Sequence, residues 1–126
     1  MMDIIHRLAL AASAARTLPG LIDAIRAAAS PDETARRLAL VAATTRAIED
    51  DVRAAALAAL AMDGGDIECA GAWLALMTLL RRVDALRHRI ADVVDLSRID
   101  DEAARDTLRG AREMARELAL GAGMEV

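Results

Sequence analysis

The feature that most constrains this chain is a stripe of apolar residues that recurs at alternating steps of three and four positions. The stripe is most regular between Ser30 and Met62. This spacing puts eight residues on one face of an α-helix: Leu38, Val41, Thr45, Ile48, Val52, Ala55, Ala59 and Met62. Ser30 is the expected N-cap, Pro31 suits the first helical position, and Glu33 completes a capping box. The pattern therefore predicts a helix over residues 31–62.

The same spacing predicts three further helices, over residues 3–29, 66–94 and 98–120. Pro19 predicts a kink in the first of them, but the rhythm continues in phase, which favours one bent helix over two. Glycines at 64, 65, 121 and 123 are expected to end the second and fourth helices, and Ser97 or Asp100 is expected to cap the last. Short connectors make neighbouring helices antiparallel. The whole of residues 1–126 is therefore predicted to be one all-α domain, an up-down-up-down antiparallel four-helix bundle.

The composition points to a chosen set of amino acids. Lys, Asn, Gln, Phe and Tyr are absent, all 16 basic residues are Arg, and 31 residues are Ala. A GC-rich genome reduces the use of Lys, Asn, Phe and Tyr, but it does not obviously remove Gln. Because average proteins contain every one of these types, a deliberately restricted alphabet explains their joint absence better.

Charge and hydropathy exclude several classes of protein. The net charge of −4 disfavours nucleic acid, and a single aromatic residue leaves no stacking platform for single strands. The longest uncharged run, Cys69 to Leu80, has 12 residues, whereas a membrane span needs about 20. The N-terminus loosely resembles a signal peptide, but its removal would delete the first helix, so we interpret it as structure. One cysteine suits a reducing compartment. We expect a cytoplasmic monomer with no nucleic-acid or membrane partner.

The length, the helix lengths and the connectors at Ser30-Pro31, Gly64-Gly65 and Ser97–Asp100 give the chain an architectural resemblance. It resembles the single-chain de novo four-helix bundles made to bind drug-like small molecules. The likeness covers the whole chain but rests on no residue motif, so it transfers no binding residue. It implies an all-α bundle with a site for a small molecule.

The stripes also divide the predicted core into a half of large residues and a half of small ones. Leu18, Ile22 and Leu86 belong to the first half, and Ala55, Ala59 and Ala111 to the second. Small side chains either let the helices pack closely, with no cavity, or leave a void for a ligand. Because a lone indole is an unusual choice for tight alanine packing, Trp73 in the small half favours the void.

A mostly apolar, drug-sized ligand in this Ala-rich half is therefore our first functional hypothesis. A stacking contact is expected from Trp73, hydrogen bonds from Thr45, Ser13 and Thr107, and a contact with a polar or cationic group from Glu49 or His6. The remaining wall is formed by Met77, Ala111 and Met114. Each hydroxyl has a structural alternative, a bond to a carbonyl of its own helix. For the methionines, the alternative is ordinary gap-filling in the core.

Catalysis and cofactor binding are the weaker alternatives. His6 and Cys69 fall at similar heights and could form a nucleophilic pair, but no oxyanion donor accompanies them. Glu49 is a further candidate base for a designed catalyst. His6 and His88 are separated by about 28 Å, too far to share a metal, and Glu-x-x-His is absent. A single histidine could ligate a porphyrin, yet Phe is lacking. We expect no metal and no cofactor, and a ligand-free scaffold remains the third alternative.

Overall fold

The described residues of the computed structural model form four α-helices. The model describes residues 2–61, 67–96 and 100–125, and side chains within 4–58, 61, 74–96, 100 and 102–120. The helices are α1 (Met2–Arg26), α2 (Pro31–Ala61), α3 (Ile67–Leu96) and α4 (Asp101–Glu125). Each packs against its neighbours in the chain, and α1 also packs against α4. The predicted all-α, up-down-up-down antiparallel four-helix bundle is confirmed.

The core is built from the predicted stripes. Its largest fully buried apolar side chains come from all four helices: Leu18, Ile22, Val41, Ile48, Val52, Val83, Leu86, Ile90 and Leu118. Full burial of a Leu, Ile or Val side chain contributes about 1.5–3 kcal/mol relative to exposure. Small residues complete the core, among them Ala15, Ala55 and Ala111, which are also fully buried. Tertiary packing of these stripes is the main source of helix stability.

Helix α1 is continuous through Pro19, which confirms one helix in place of two. It ends at Arg26, three residues before the predicted end at Ala29. Here the N–H groups of Ala27 and Ala28 bond to carbonyls three residues back, at 3.2 and 3.1 Å, so the last turn tightens. Pro31 also disfavours the α conformation at the residue before it, which prevents α1 from running straight into α2.

The α1–α2 connection is held by a group of side-chain contacts that we call the Arg37 clasp. Arg37 donates hydrogen bonds to the Ala24 carbonyl and to the Glu33 carboxylate. The other Glu33 oxygen accepts the N–H of Ala29 at 3.0 Å, and Ser30 Oγ accepts the N–H of Glu33 at 3.1 Å. Half of the predicted capping box therefore forms: Ser30 accepts the N–H of Glu33 as predicted, whereas the Glu33 carboxylate bonds to Ala29 and not to the N–H of Ser30. The clasp satisfies polar groups at the end of α1 and at the start of α2 together.

The start of α4 is capped by Asp100, one of the two predicted candidates. Its Oδ1 accepts the N–H groups of Glu102 and Ala103 at 3.1 and 3.2 Å. The other candidate, Ser97, lies outside the described residues. Helix α3 extends two residues past its predicted end, to Leu96, whose carbonyl accepts the N–H of Asp100 at 2.8 Å.

Helix α4 continues past its predicted end at residue 120, to Glu125. No glycine that the structure describes has a positive φ, so Gly121 and Gly123 continue the helix and do not end it. Glycine permits a left-handed turn but does not impose one. The glycine stop predicted at residues 64 and 65, like Met62 before it, lies outside the described residues.

By length and composition alone, the α1 segment Ile4–Arg26 is apolar enough to cross a membrane. Our expectation was different because it was based on uninterrupted uncharged runs, whereas an average hydropathy tolerates a few charged residues. The core helix of a soluble protein and a signal sequence near the N-terminus both pass the same test. In this structure Leu18 and Ile22 of α1 are fully buried against the other helices.

Two glycines inside helices provide a test of the backbone. A Cβ added at Gly20 meets nothing within 4 Å, and one added at Gly110 approaches the Arg89 guanidinium carbon at an ordinary 3.6 Å. We expect Gly20→Ala and Gly110→Ala each to raise the free energy of unfolding by about 0.5–1 kcal/mol, measured by urea denaturation. The matched control Ala47→Gly, at an exposed α2 position, should lower it by a similar amount. A loss of stability in Gly20→Ala would contradict a continuous α1.

The α4 cap provides a second test. Asp100→Ala removes the acceptor for two N–H groups, and we expect it to lower the free energy of unfolding by about 1 kcal/mol. Asp100→Asn retains an acceptor oxygen and should cost much less. The two variants are compared by urea denaturation monitored by circular dichroism. Equal losses in both would show that the charge of Asp100 matters and that its cap hydrogen bonds do not.

Candidate functional site

The most unusual group in the described core is the carboxylate of Glu49, which is 5% exposed. Its Oε1 accepts a hydrogen bond from Arg53 at 2.7 Å, one turn further along α2. Its Oε2 accepts one from Arg87 on α3 at 2.6 Å. A buried carboxylate is costly unless it is paired and hydrogen-bonded, and here a different guanidinium serves each oxygen. Glu49 therefore links α2 to α3 by a charge-assisted hydrogen bond.

Thr45 lies one turn before Glu49 and is fully buried. Its hydroxyl donates a hydrogen bond to the Ala42 carbonyl at 2.8 Å. This is the structural alternative that the sequence left open, a bond to the residue's own helix. The hydroxyls of Thr17 and Thr78 do the same, to Ala14 and Leu74. No buried side-chain nitrogen or oxygen among the described residues lacks a partner.

Next to the Glu49–Arg87 pair, a groove of about 420 Å³ opens between α2 and α3. We call it the α2–α3 groove. Eight residues line it: Ala42 and Arg46 on α2, and Arg87, His88, Ile90, Ala91, Val94 and Asp95 on α3. Its volume lies within the range of small-molecule sites, about 300–1,000 Å³. The short side chains of Ala42 and Ala91 leave the space between the two helices, and the buried Ile90 contributes to its floor.

The charges of the α2–α3 groove are unevenly placed. Arg87 and His88 lie at one end of its α3 wall, and Asp95 lies at the other, about 12 Å further along the helix axis at 1.5 Å per residue. On the facing wall, Arg46 lies one turn from Glu49 in the direction of Ala42. The groove thus combines an apolar floor with two arginines near one end and one carboxylate at the other.

The other predicted ligand residues do not meet in one place. Ser13 and His6 are exposed on the outer side of α1, away from Thr45 and Glu49. On α3 and α4, Met77, Thr107 and Met114 are half-buried, and Ala111 is fully buried. Trp73 belongs to α3, but its side chain lies outside the described residues. No predicted residue whose side chain the structure describes lines the α2–α3 groove. Glu49 adjoins the groove through its hydrogen bond to the lining residue Arg87, and the role of every member in binding stays a prediction.

The described side chains offer no metal site. They contain no group of three His, Cys, Asp or Glu residues that could hold a metal ion. His88 is exposed, and its Nδ1 lies 2.8 Å from the Asp84 carbonyl oxygen. The predicted partner of His6, the Cys69 side chain, falls outside the part of the chain that the structure describes.

Another of the ion pairs between helices lies on the far side of the bundle. Arg112 Nε on α4 donates to Asp23 Oδ1 on α1 at 2.6 Å. This hydrogen bond raises the pKa of Arg112 above its usual value. Because arginine is charged at every accessible pH, the shift has no consequence for chemistry, and the pair serves to align α1 with α4.

Comparison with known proteins adds no relationship. No protein-family model matches the chain, and neither does any curated protein or solved structure. The site is therefore defined by its own geometry.

The arginines of the groove were not predicted as site residues. One signal for Arg87 was present, since it borders the apolar stripe of α3 as Glu49 borders that of α2, with opposite charge. Arg46 gave no such signal, because many arginines face outward on these helices. Only the packing of α2 on α3 brings the groove residues together.

Glu49 and its arginine partners differ in burial, and this difference gives a prediction. Glu49 is buried, whereas the side chains of Arg87 and Arg53 are 44% and 55% exposed. Arg87→Met leaves a buried carboxylate with one guanidinium fewer, and we expect it to lower the free energy of unfolding by about 1–3 kcal/mol. Glu49→Met leaves arginines that water can solvate, and it should stay within about 1 kcal/mol of the parent.

Urea denaturation of both single variants and of the double variant measures this difference. The double variant should be more stable than Arg87→Met alone, because it removes the underpaired carboxylate as well. A greater loss in Glu49→Met than in Arg87→Met would contradict the burial argument.

Proposed function

We propose that this chain is a de novo designed four-helix bundle that binds a mostly apolar, drug-sized small molecule, and that the α2–α3 groove receives it. The observation that carries the proposal is the groove itself, about 420 Å³ in volume, with Ala42, Ile90, Ala91 and Val94 supplying apolar surface. Small-molecule sites combine such a surface with a few placed polar groups. The restricted amino-acid alphabet and the regular helix lengths support the designed origin.

The groove is a better site than the Ala-rich half that the sequence first suggested. Four alanines of that half, Ala12, Ala55, Ala111 and Ala115, are at most 1% exposed. Burial of this degree agrees with close approach of the helices. The hydroxyl of Thr45 already donates its hydrogen to its own helix, so it has no second hydrogen to donate to a ligand.

The same burial supports a second candidate function, a ligand-free scaffold. A bundle with many fully buried apolar side chains, in which every described buried side-chain nitrogen and oxygen has a partner, needs no ligand for its stability. The two candidates differ in one measurable way. A ligand that binds the folded state alone raises the free energy of unfolding, by about 2.7 kcal/mol at one hundred times its dissociation constant.

The neutral apolar fluorophore N-phenyl-1-naphthylamine provides the test. We expect its emission to rise on addition of the parent protein, because the groove shields it from water. Ala91→Leu fills the groove between α2 and α3 and should weaken this binding about tenfold or more, since overlap with a well-fitting ligand costs at least 1.4 kcal/mol.

The matched control is Ala85→Leu, which makes the same change at an exposed position of α3 outside the groove. It should bind the fluorophore as the parent does. Equal binding by all three proteins would place the site elsewhere. No binding by the parent would leave the scaffold as the function.

A further inference from the structure

We propose that the α2–α3 groove is selective for an apolar molecule that carries one anionic group, a carboxylate or a sulfonate, bound jointly by Arg46 and Arg87. This inference rests on the proposed function and narrows its ligand to one chemical class. The inference is based on the charges around the groove. These charges could not be expected from the net charge of the chain, which is −4.

Arg87 is held in position before any ligand arrives. One of its nitrogens, Nη1, donates to the buried Glu49 carboxylate at 2.6 Å. A guanidinium has five N–H donors in a rigid fork, so this bond leaves donors for a second acceptor. The side chain is 44% exposed and lines the groove. Because Glu49 already limits its motion, a ligand loses less affinity to the ordering of this side chain.

Arg46 supplies a second cation on the opposite wall. It lies three residues from Glu49 along α2, about 4.5 Å in axial height, on the side that lines the groove. No ion pair or hydrogen bond to another described residue occupies it. Two guanidiniums on facing helices can hold one carboxylate or sulfonate from two sides, through charge-assisted hydrogen bonds.

The position of Asp95 sets the direction of the ligand. It lies at the other end of the α3 wall, so the anionic group is favoured at the arginine end and disfavoured at the Asp95 end. The apolar surface of Ile90, Ala91 and Val94 lies between the two ends. An anionic ligand therefore places its charged group beside the arginines and its apolar part along these side chains. A cationic group at the arginine end would meet two like charges.

Three ligands that share a naphthalene ring and differ in charge test whether the groove prefers an anion: 2-naphthoate, 2-naphthamide and 2-naphthylmethylammonium. We expect the parent to bind the carboxylate about fivefold to tenfold more tightly than the amide, because hydrogen bonds to charged groups are stronger than neutral ones. The ammonium compound should bind more weakly than the carboxylate, because only Asp95 at the opposite end offers it a counter-charge, whereas the carboxylate meets two arginines. Affinities come from two-dimensional ¹H–¹⁵N spectra, and the Nε–Hε signals of Arg46 and Arg87 should shift on addition of the carboxylate.

A matched pair of variants assigns the effect to the groove. Arg46→Met keeps an aliphatic stem, and we expect it to reduce naphthoate affinity about fivefold while naphthamide affinity changes less than twofold. Arg36→Met makes the same change in charge on the exposed outer side of α2 and should leave both affinities unchanged. Raising the salt from about 0.02 M to about 0.5 M should weaken naphthoate binding and spare naphthamide, since salt screens the charges.

Equal affinity for naphthoate and naphthamide, or tighter binding of the ammonium compound, would overturn the assignment of an anionic ligand and leave the groove as a small-molecule site. An equal loss of naphthoate affinity in both arginine variants would also overturn it, because net charge alone would then explain the effect. Failure of all three compounds and of the neutral fluorophore to bind would instead reject the proposed function.

Discussion

Burial of one apolar stripe per helix is the interaction on which the rest of this bundle depends. Helices of 25 to 31 residues with one apolar face gain most of their stability from packing that face. Leu18, Val52 and Leu86 are fully buried in the shared core, together with small residues such as Ala111. The capping contacts and ion pairs contribute less energy, and they determine where helices end and how they are aligned.

Glu49 is the exception that connects this core to a site. A carboxylate stands beside the apolar stripe of α2, where it is buried and must be paired. Its hydrogen bond to Arg87 of α3 fixes that side chain in position. One end of the α2–α3 groove therefore carries a guanidinium that is already ordered. A polar group inside a core can thus orient a side chain at the surface, even where an apolar replacement would be as stable.

The helices were predictable because their signals are local. The spacing of apolar residues, the Ser30-Pro31 start and the Asp100 cap each act within a few positions of the chain. The end of α4 was less predictable, because Gly121 permits either a helix or a left-handed turn. The groove could not be predicted, since it depends on how far α2 stands from α3 around Ala42 and Ala91. The bond of Thr45 to the Ala42 carbonyl was one of two alternatives that the sequence left open, and the structure shows that this bond forms.

The Arg37 clasp has a consequence for the order of assembly. It joins Arg37 to the Ala24 carbonyl, groups only 13 residues apart, whereas Arg112 and Asp23 join α4 to α1 across 89 residues. Closing a short loop costs less entropy than closing a long one, and proteins rich in local contacts fold fast. We therefore expect the α1–α2 hairpin to form early, and the contact between α1 and α4 to form only when most of the chain is in place.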